Sequence, residues 1–248
     1  MVIGIEPLAC WAPGDGVERV LVVTAHPDDV DFGSGGTIAT FTAAGIDVAY
    51  LIATDGDAGG SDRTASRADV AALRRREQGN AAAELGVTDL TFLGYPDGRL
   101  VPSIDLRRDI SRAIRTFRPD RVLAPSPDRQ WDRLGASHPD HLAVGEATTC
   151  AVYPDARNPF AHPELLAEGL EPHTVHELWL MADPTSNVVV DTTAVIDRKI
   201  AALRCHRSQL GDPDAVDDRV RSWAAATAAQ AGLAPGSTGE TFRVVRID

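Results

Sequence analysis

Between Val20 and Ala39 the chain reads VLVVTAHPDDVDFGSGGTIA: an apolar run breaks off at His26, and three carboxylates, Asp28, Asp29 and Asp31, crowd in directly behind it. A run so continuous in Val and Leu fits a strand buried on both faces, which means a parallel strand with helices above and below it. Carboxylates packed this closely repel one another, and burying one without a partner is costly. A chain that ends a buried strand in this way needs a positive charge that the sequence itself does not supply at that point.

The rest of the chain repeats the alternation of strand and helix. RVLVVTA, DVAYLIAT, LTFLG, RVLAPSP, HELWLMA, NVVVDTT and TFRVVRI read as strands. Helical patterns fall on GGTIATFTAAG, on the long segment TASRADVAALRRREQGNAAAELGV, on SIDLRRDISRAIRTFRPD with Ser103 as cap, and on SHPDHLAVGEATTCAVY with Pro139 in its first turn. AVIDRKIAALRCHRSQ and about 216–231 complete the helices. This order predicts one α/β domain over 1–248, Rossmann-like, with a mostly parallel sheet, helices on both faces and the active site at the carboxyl edge. HPDD, DGDAGG, YPDGRL and PSPDRQWDRLGASHPDH each follow a strand, so every polar cluster lands on that edge. The Pro-rich stretch from Pro154 to Pro172 reads as a surface excursion, and its part from Asn158 to Pro172 is expected to help shape a substrate pocket.

The formal net charge is −12, from 24 basic and 36 acidic residues, which argues against nucleic acid or an anionic membrane as partner. Cys10, Cys150 and Cys205 form no CxxC pair and read as buried free thiols. MVIGIEPLACWAPGDG lacks the pattern of a signal peptide, and no apolar run approaches the ~20 residues of a membrane span, so a cytoplasmic protein is expected.

Two motifs carry the chemistry. His26 and Asp29 stand three apart across Pro27, and His138 and His141 stand three apart on the first turn of a helix, where that spacing shares a face. One imidazole and one carboxylate from the first pair, with one imidazole from the second, make a three-ligand set of the kind that holds catalytic zinc with a position left open. A helix-capping turn explains either motif alone; it does not explain both, each behind a strand of one sheet. The competing segments say less. GSGG lacks the spacing of a dinucleotide fingerprint and reads as close helix packing; DGDAGGSD lacks the Glu of a calcium loop and reads as an exposed loop at the site. Arg75 and Arg76 fall on a solvated face, His162, His173 and His176 have no motif, and Trp131 reads as a core or lid aromatic.

AHPDDVDFGSGGTIA together with SHPDHLAVG resembles the LmbE-like (PIG-L) family of zinc-dependent de-N-acetylases, which remove acetyl groups from N-acetylglucosaminyl compounds and related sugar amides. RRREQGNAAAELGV, FLGYPDGRL and VVVDTTAVIDRKIAALRCHRSQL extend the likeness over about 20–210. The resemblance implies Zn2+, or another divalent transition metal, held by His26, Asp29 and His141, with Asp28 as general base. It makes His138 the general acid or electrostatic partner, with Asp140 orienting it, and gives substrate contacts to Arg74 and Asp97. His206 in HRSQ is either a helix C-cap or an active-site donor, in some relatives reaching a neighbouring subunit, which leaves room for a homo-oligomer. The chain departs from the family at Asp31, where a Glu is usual, and at Ala136, where some sugar-amide deacetylases carry Tyr. The function implied is hydrolysis of an N-acetyl amide on a small amino-sugar compound. Cleavage of a mycothiol-type conjugate amide, or a non-enzymatic ligand-binding α/β domain with a structural cation, are the alternatives.

Overall fold

A computed structural model describes residues 8–60, 62, 64–212 and 215–247. Its strands are β1 (Ala9–Trp11), β2 (Arg19–Thr24), β3 (Asp47–Thr54), β4 (Asp89–Tyr95), β5 (Arg121–Pro125), β6 (Glu177–Met181), β7 (Val188–Asp191) and β8 (Gly239–Arg246). Its main helices are α1 (Asp29–Ala43), α2 (Arg67–Glu84), α3 (Ile104–Phe117), α4 (Pro139–Cys150), α5 (Pro163–Ala167), α6 (Ile196–Cys205) and α7 (Ala215–Gln230).

The strands form one sheet in the order β1-β7-β8-β6-β5-β2-β3-β4, parallel throughout except for β8, which runs antiparallel between β6 and β7. Central β2 shows why its sequence is unbroken in apolar residues. Leu21 and Val23 pack with Leu106, Ile110 and Val144 of α3 and α4, whereas Val20 and Val22 pack with Ile38, Phe41 and Leu85 of the α1–α2 layer. Helices cover both faces, as expected for a largely parallel sheet. β1 was not legible: three residues pair in parallel with β7, from Ala9 against Val188 to Trp11 against Val190. So short an edge strand is fixed by its partner rather than by its own pattern. Residues 1–7 of the N-terminal segment read above lie outside the described residues.

GSGG is a packing device. A Cβ on Gly36 would sit 2.7 Å from Thr192 Cγ2, and one on Gly35 would sit 3.2 Å from Lys199 Cγ, so α1 can lie this close to α6 and the turn after β7 only with glycine there. The buried Lys199–Glu240 pair fastens the same contact: Lys199 Nζ donates to Glu240 at 2.5 Å and to Phe32 O at 2.8 Å, and Glu240 accepts from the Gly36 and Thr37 amides.

The excursion from Pro154 to Pro172 sits at the amino edge, away from the clustered motifs, and does not shape their pocket. The buried Arg115 guanidinium donates to the carbonyls of Asp155, Ala156, Asn158 and Ala161, and His173 Nε2 lies 2.7 Å from Pro119 O, just before β5 begins. α3 and α4 both run back from the carboxyl edge, so a segment tied to their far ends belongs to the opposite end of the sheet. The three thiols are free, but none is buried as expected: Cys10 is exposed, and Cys150 and Cys205 are partly exposed. Among the described residues no helix is long and apolar enough to cross a membrane.

Gly145 sets how α4 seats on the sheet. A Cβ there would lie 2.4 Å from Pro125 O and 2.8 Å from Pro127 N, both backbone atoms that cannot rotate away. Gly145→Ala should therefore lift α4 and cost about 1–3 kcal/mol, a fall in Tm of about 2–12 °C. A thermal melt that overlays the native one would show that the contact relaxes freely.

Candidate metal centre and its surroundings

His26 follows the end of β2, and Pro27 fixes the backbone as it turns into α1. Asp28 caps α1 in the left-handed region, with φ at 87°, a conformation that Asp tolerates better than most residues. This turn separates the adjacent carboxylates of Asp28 and Asp29. Asp29, on the first turn of α1, accepts from the His26 amide at 2.8 Å. Across the gap His138 is the N-cap of α4 and Pro139 its first residue, so His141 comes up on the first turn, facing Asp29.

His26 Nδ1 lies 3.3 Å from His141 Nε2 and 3.5 Å from Asp29 Oδ2, and Asp29 Oδ1 lies 3.0 Å from His141 Nε2. Donors bound to a tetrahedral zinc at about 2.0–2.1 Å stand about 3.3 Å from one another, so these three residues fit the ion. Among the described residues two other groupings have metal-compatible spacing: His26, His138 and His141, and His26, Asp97 and Asp140. In the second, the carboxylates face the far nitrogen of His26. Asp97 Oδ1 and Asp140 Oδ2 each stand 3.2 Å from its Nε2. Both are already engaged, Asp140 by the amides of Gly98 and Leu100 and Asp97 by that of Ala58. They have the geometry of groups that orient a ligating imidazole and raise its basicity.

This corrects the place expected for Asp140. Its carboxylate serves His26, and only its backbone N–H meets His138, donating to Nδ1 at 3.2 Å. Residues two apart on a helix point to different sides, which is why positions 138 and 140 cannot pair through their side chains. Asp97, expected on the substrate, also lies against His26. Arg74, expected there too, is 4% exposed and donates to Pro27 O at 2.6 Å, Gly56 O at 2.9 Å and Asp28 Oδ2 at 3.2 Å.

The glycines of DGDAGG admit that guanidinium: a Cβ on Gly56 or Gly59 would lie 2.3 or 2.4 Å from Arg74 Nη1. The loop's carboxylates are taken by arginines, Asp57 by Arg67 and Asp55 by Arg75, which is therefore paired rather than simply solvated. Trp131 is 79% exposed and belongs to no core.

His206 is fully buried, its Nε2 2.7 Å from Asp31 Oδ2. The same carboxylate oxygen accepts from Gln78 Nε2 at 2.9 Å, and Gln78 Oε1 accepts from the Asp28 amide at 2.7 Å. His206 thus supports the site through two intermediaries and touches no open space. Gln78 was missed. Its signal lay in its position one turn beyond Arg74, on the same face of α2.

The charges complete the account. Burial opposes a charged imidazole, but hydrogen bonds to Asp29 and Asp97 outweigh it and push His26 up to about 11. Burial opposes the Asp29 carboxylate too, yet His141 and His26 hold it well below the usual range. Asp28 moves the other way: burial, then the charge of Asp29, push it up to about 7, against the pull of Arg74 and His206. Burial and the two neighbouring imidazoles lower His138. A divalent ion at the three donors would supply the positive charge that these carboxylates otherwise draw from protons.

A mostly parallel sheet that gathers a His/Asp/His donor set and an adjoining carboxylate outside that set at its carboxyl edge has the layout of a one-metal hydrolase. The chain belongs to the PIG-L (LmbE-like) family: the family described as PIG-L: GlcNAc-PI de-N-acetylase matches residues 21–152. It is 36% identical over 201 residues to the diacetylchitobiose deacetylase of Thermococcus kodakarensis, covering 79% of this chain and 72% of that protein. It is 32% identical over 198 residues to a probable N-acetyl-alpha-D-glucosaminyl L-malate deacetylase 2 of Bacillus cereus, covering 77% and 83%. The solved N,N'-diacetylchitobiose deacetylase from Pyrococcus horikoshii, bound to its inhibitor MPG, superposes with a TM-score of 0.85 at 32% identity, over 93% of this chain and 85% of that one.

The ligand assignment predicts a graded set of variants. Asp29→Ala and His141→Ala should lose the metal, His138→Ala should keep it, and Asp140→Asn should weaken it about 10–100-fold. Metal content by elemental analysis after dialysis decides. Full retention in Asp29→Ala with loss in His138→Ala would shift the site to the three imidazoles.

Proposed function

We propose that the chain removes the acetyl group from an N-acetylglucosaminyl or related amino-sugar compound, as a zinc or other divalent transition-metal hydrolase with His26, Asp29 and His141 as ligands. The observation that carries this reading is Asp28: a carboxylate next to the donor set but outside it, on a left-handed backbone, with its Oδ2 held 3.2 Å from Arg74 Nη2. A structural cation site has no use for such a group, and a general base acting near neutral pH requires one.

A zinc ion held by His26, Asp29 and His141 would supply a Lewis acid and would lower the pKa of water to about 7. Asp28 takes the proton of the attacking water. Arg74, anchored on Pro27 O and Gly56 O, and Gln78, on the Asp28 amide, hold that carboxylate in place. His138 accepts at Nδ1 from the Asp140 amide, so its neutral form carries its proton at Nε2. That N–H suits a hydrogen bond to the oxyanion, the role that Ala136 cannot fill in place of a Tyr. Asp28, once protonated, returns its proton to the leaving amine, and the products are acetate and the free amino sugar. The single sheet formed by the described residues supports reading 1–248 as one domain. A mycothiol-type amidase would use the same donors and base and would differ in the cavity beside them.

Asp28→Asn tests the reading. It should retain the metal, since the carboxylate does not ligate, and turnover of an N-acetylglucosaminide should fall by about 10²–10⁴. Near-native kcat in this variant would place the base elsewhere.

A further inference from the structure

A cavity of about 460 Å3 opens beside Asp29 and His141. Phe32, Met181 and Val220 give it apolar walls, and Trp223 of α7, 51% exposed, stands along it. Two exposed arginines line it, Arg133 from the segment before α4 and Arg219 from α7. The other charged groups there are accounted for: Asp29 belongs to the donor set, and Lys199 and Glu240 neutralise each other. Among the described residues neither Arg133 nor Arg219 has a carboxylate partner, in a chain whose net charge is −12; the Arg219 guanidinium instead lies 5.3 Å from the centre of the Trp223 ring.

This volume and largely apolar lining suit a small-molecule group, with the charged side chains fixing its orientation. An acetyl group offers nothing beyond its methyl on the acyl side, so what fills the cavity must come from the amine side. Arginine next to an aromatic face recognises planar groups and pairs well with carboxylates and phosphates. We propose that the cavity is the subsite for the substrate's aglycone, and that it takes an apolar or aromatic aglycone carrying an anionic group, stacked on Trp223 and paired with Arg133 and Arg219. This rests on the deacetylase reading and adds to it the part of the substrate that the metal centre leaves unspecified.

The test compares 4-carboxyphenyl N-acetylglucosaminide with its uncharged phenyl counterpart on the metal-loaded protein, by turnover and by calorimetric titration. The carboxylate should gain about 10-fold or more in kcat/KM and in Kd, the size of a charge-assisted hydrogen bond. The Arg133→Gln/Arg219→Gln double variant should bring both ratios to about 1; both side chains are exposed, so the core is untouched. Equal values for the two probes in the native protein, or a preference that survives the double variant, would overturn the proposal. So would rates that rise from N-acetyl to N-butyryl, which would assign the cavity to the acyl group. An arginine-dependent preference in binding with no turnover of either probe would uphold the subsite and remove the deacetylase reading instead.

Discussion

His26 is gripped from both sides of its ring. One nitrogen faces Asp29 and His141; the other faces Asp97 and Asp140. These four partners come from α1, α4 and the loop after β4, so a single imidazole at the end of the central strand ties three crossovers together. Each crossover is separately packed against the sheet, and the glycines are what let them approach: Gly36 brings α1 against Thr192, and Gly145 brings α4 against the β5 backbone. The donor set is thus a product of helix seating, and its dimensions are set by backbone contacts several residues away from any reacting group.

The price of the carboxylate cluster is a shell of committed donors. Arg74 spends its guanidinium on two carbonyls and Asp28; Gln78 uses both ends of its amide to bridge Asp28 and Asp31; His206 closes the series on Asp31. Asp31 meets Gln78 and His206 through the one oxygen Oδ2, and its Oδ1 is buried without a partner among the described residues. Buried polar groups linked in this way support one another only while every member is present. A loss at His206 would therefore be felt at Asp28 even though the two never touch.

Much of this was legible in the sequence because it depends on local spacing. The continuous apolar run of β2 required helices on both sides, and the paired His motifs behind two strands pointed to one shared edge. The Ser103 cap, Pro139 and the tight glycines of α1 were equally local. What escaped depended on partners distant in the chain. β1 has three residues and no pattern without β7. Asp140 stands next to His138 in sequence, but the helix turns its carboxylate onto His26. Arg74 and Asp97 were correctly brought to the edge, yet which atoms they meet follows from a gap left by Gly56 and Gly59 and from the loop geometry at Ala58. The excursion after α4 gave no sign of which end of the sheet it would cover, because that follows from the buried Arg115.

β8 enters the sheet between β6 and β7, and it alone joins the β1–β7 pair to the remaining strands. As the chain leaves the ribosome, the strands carrying His26, Asp97 and the crossover bearing His141 are all made by residue 150, while the β6 edge waits for Gly239–Arg246. An open edge is a site where strands of other chains can add, and during this interval the β6 edge lacks its partner. α7 and β8, which wall much of the cavity, arrive only at its close. The order of synthesis thus separates two parts of the finished molecule: the residues of the donor set are made before most of those that line the cavity beside it.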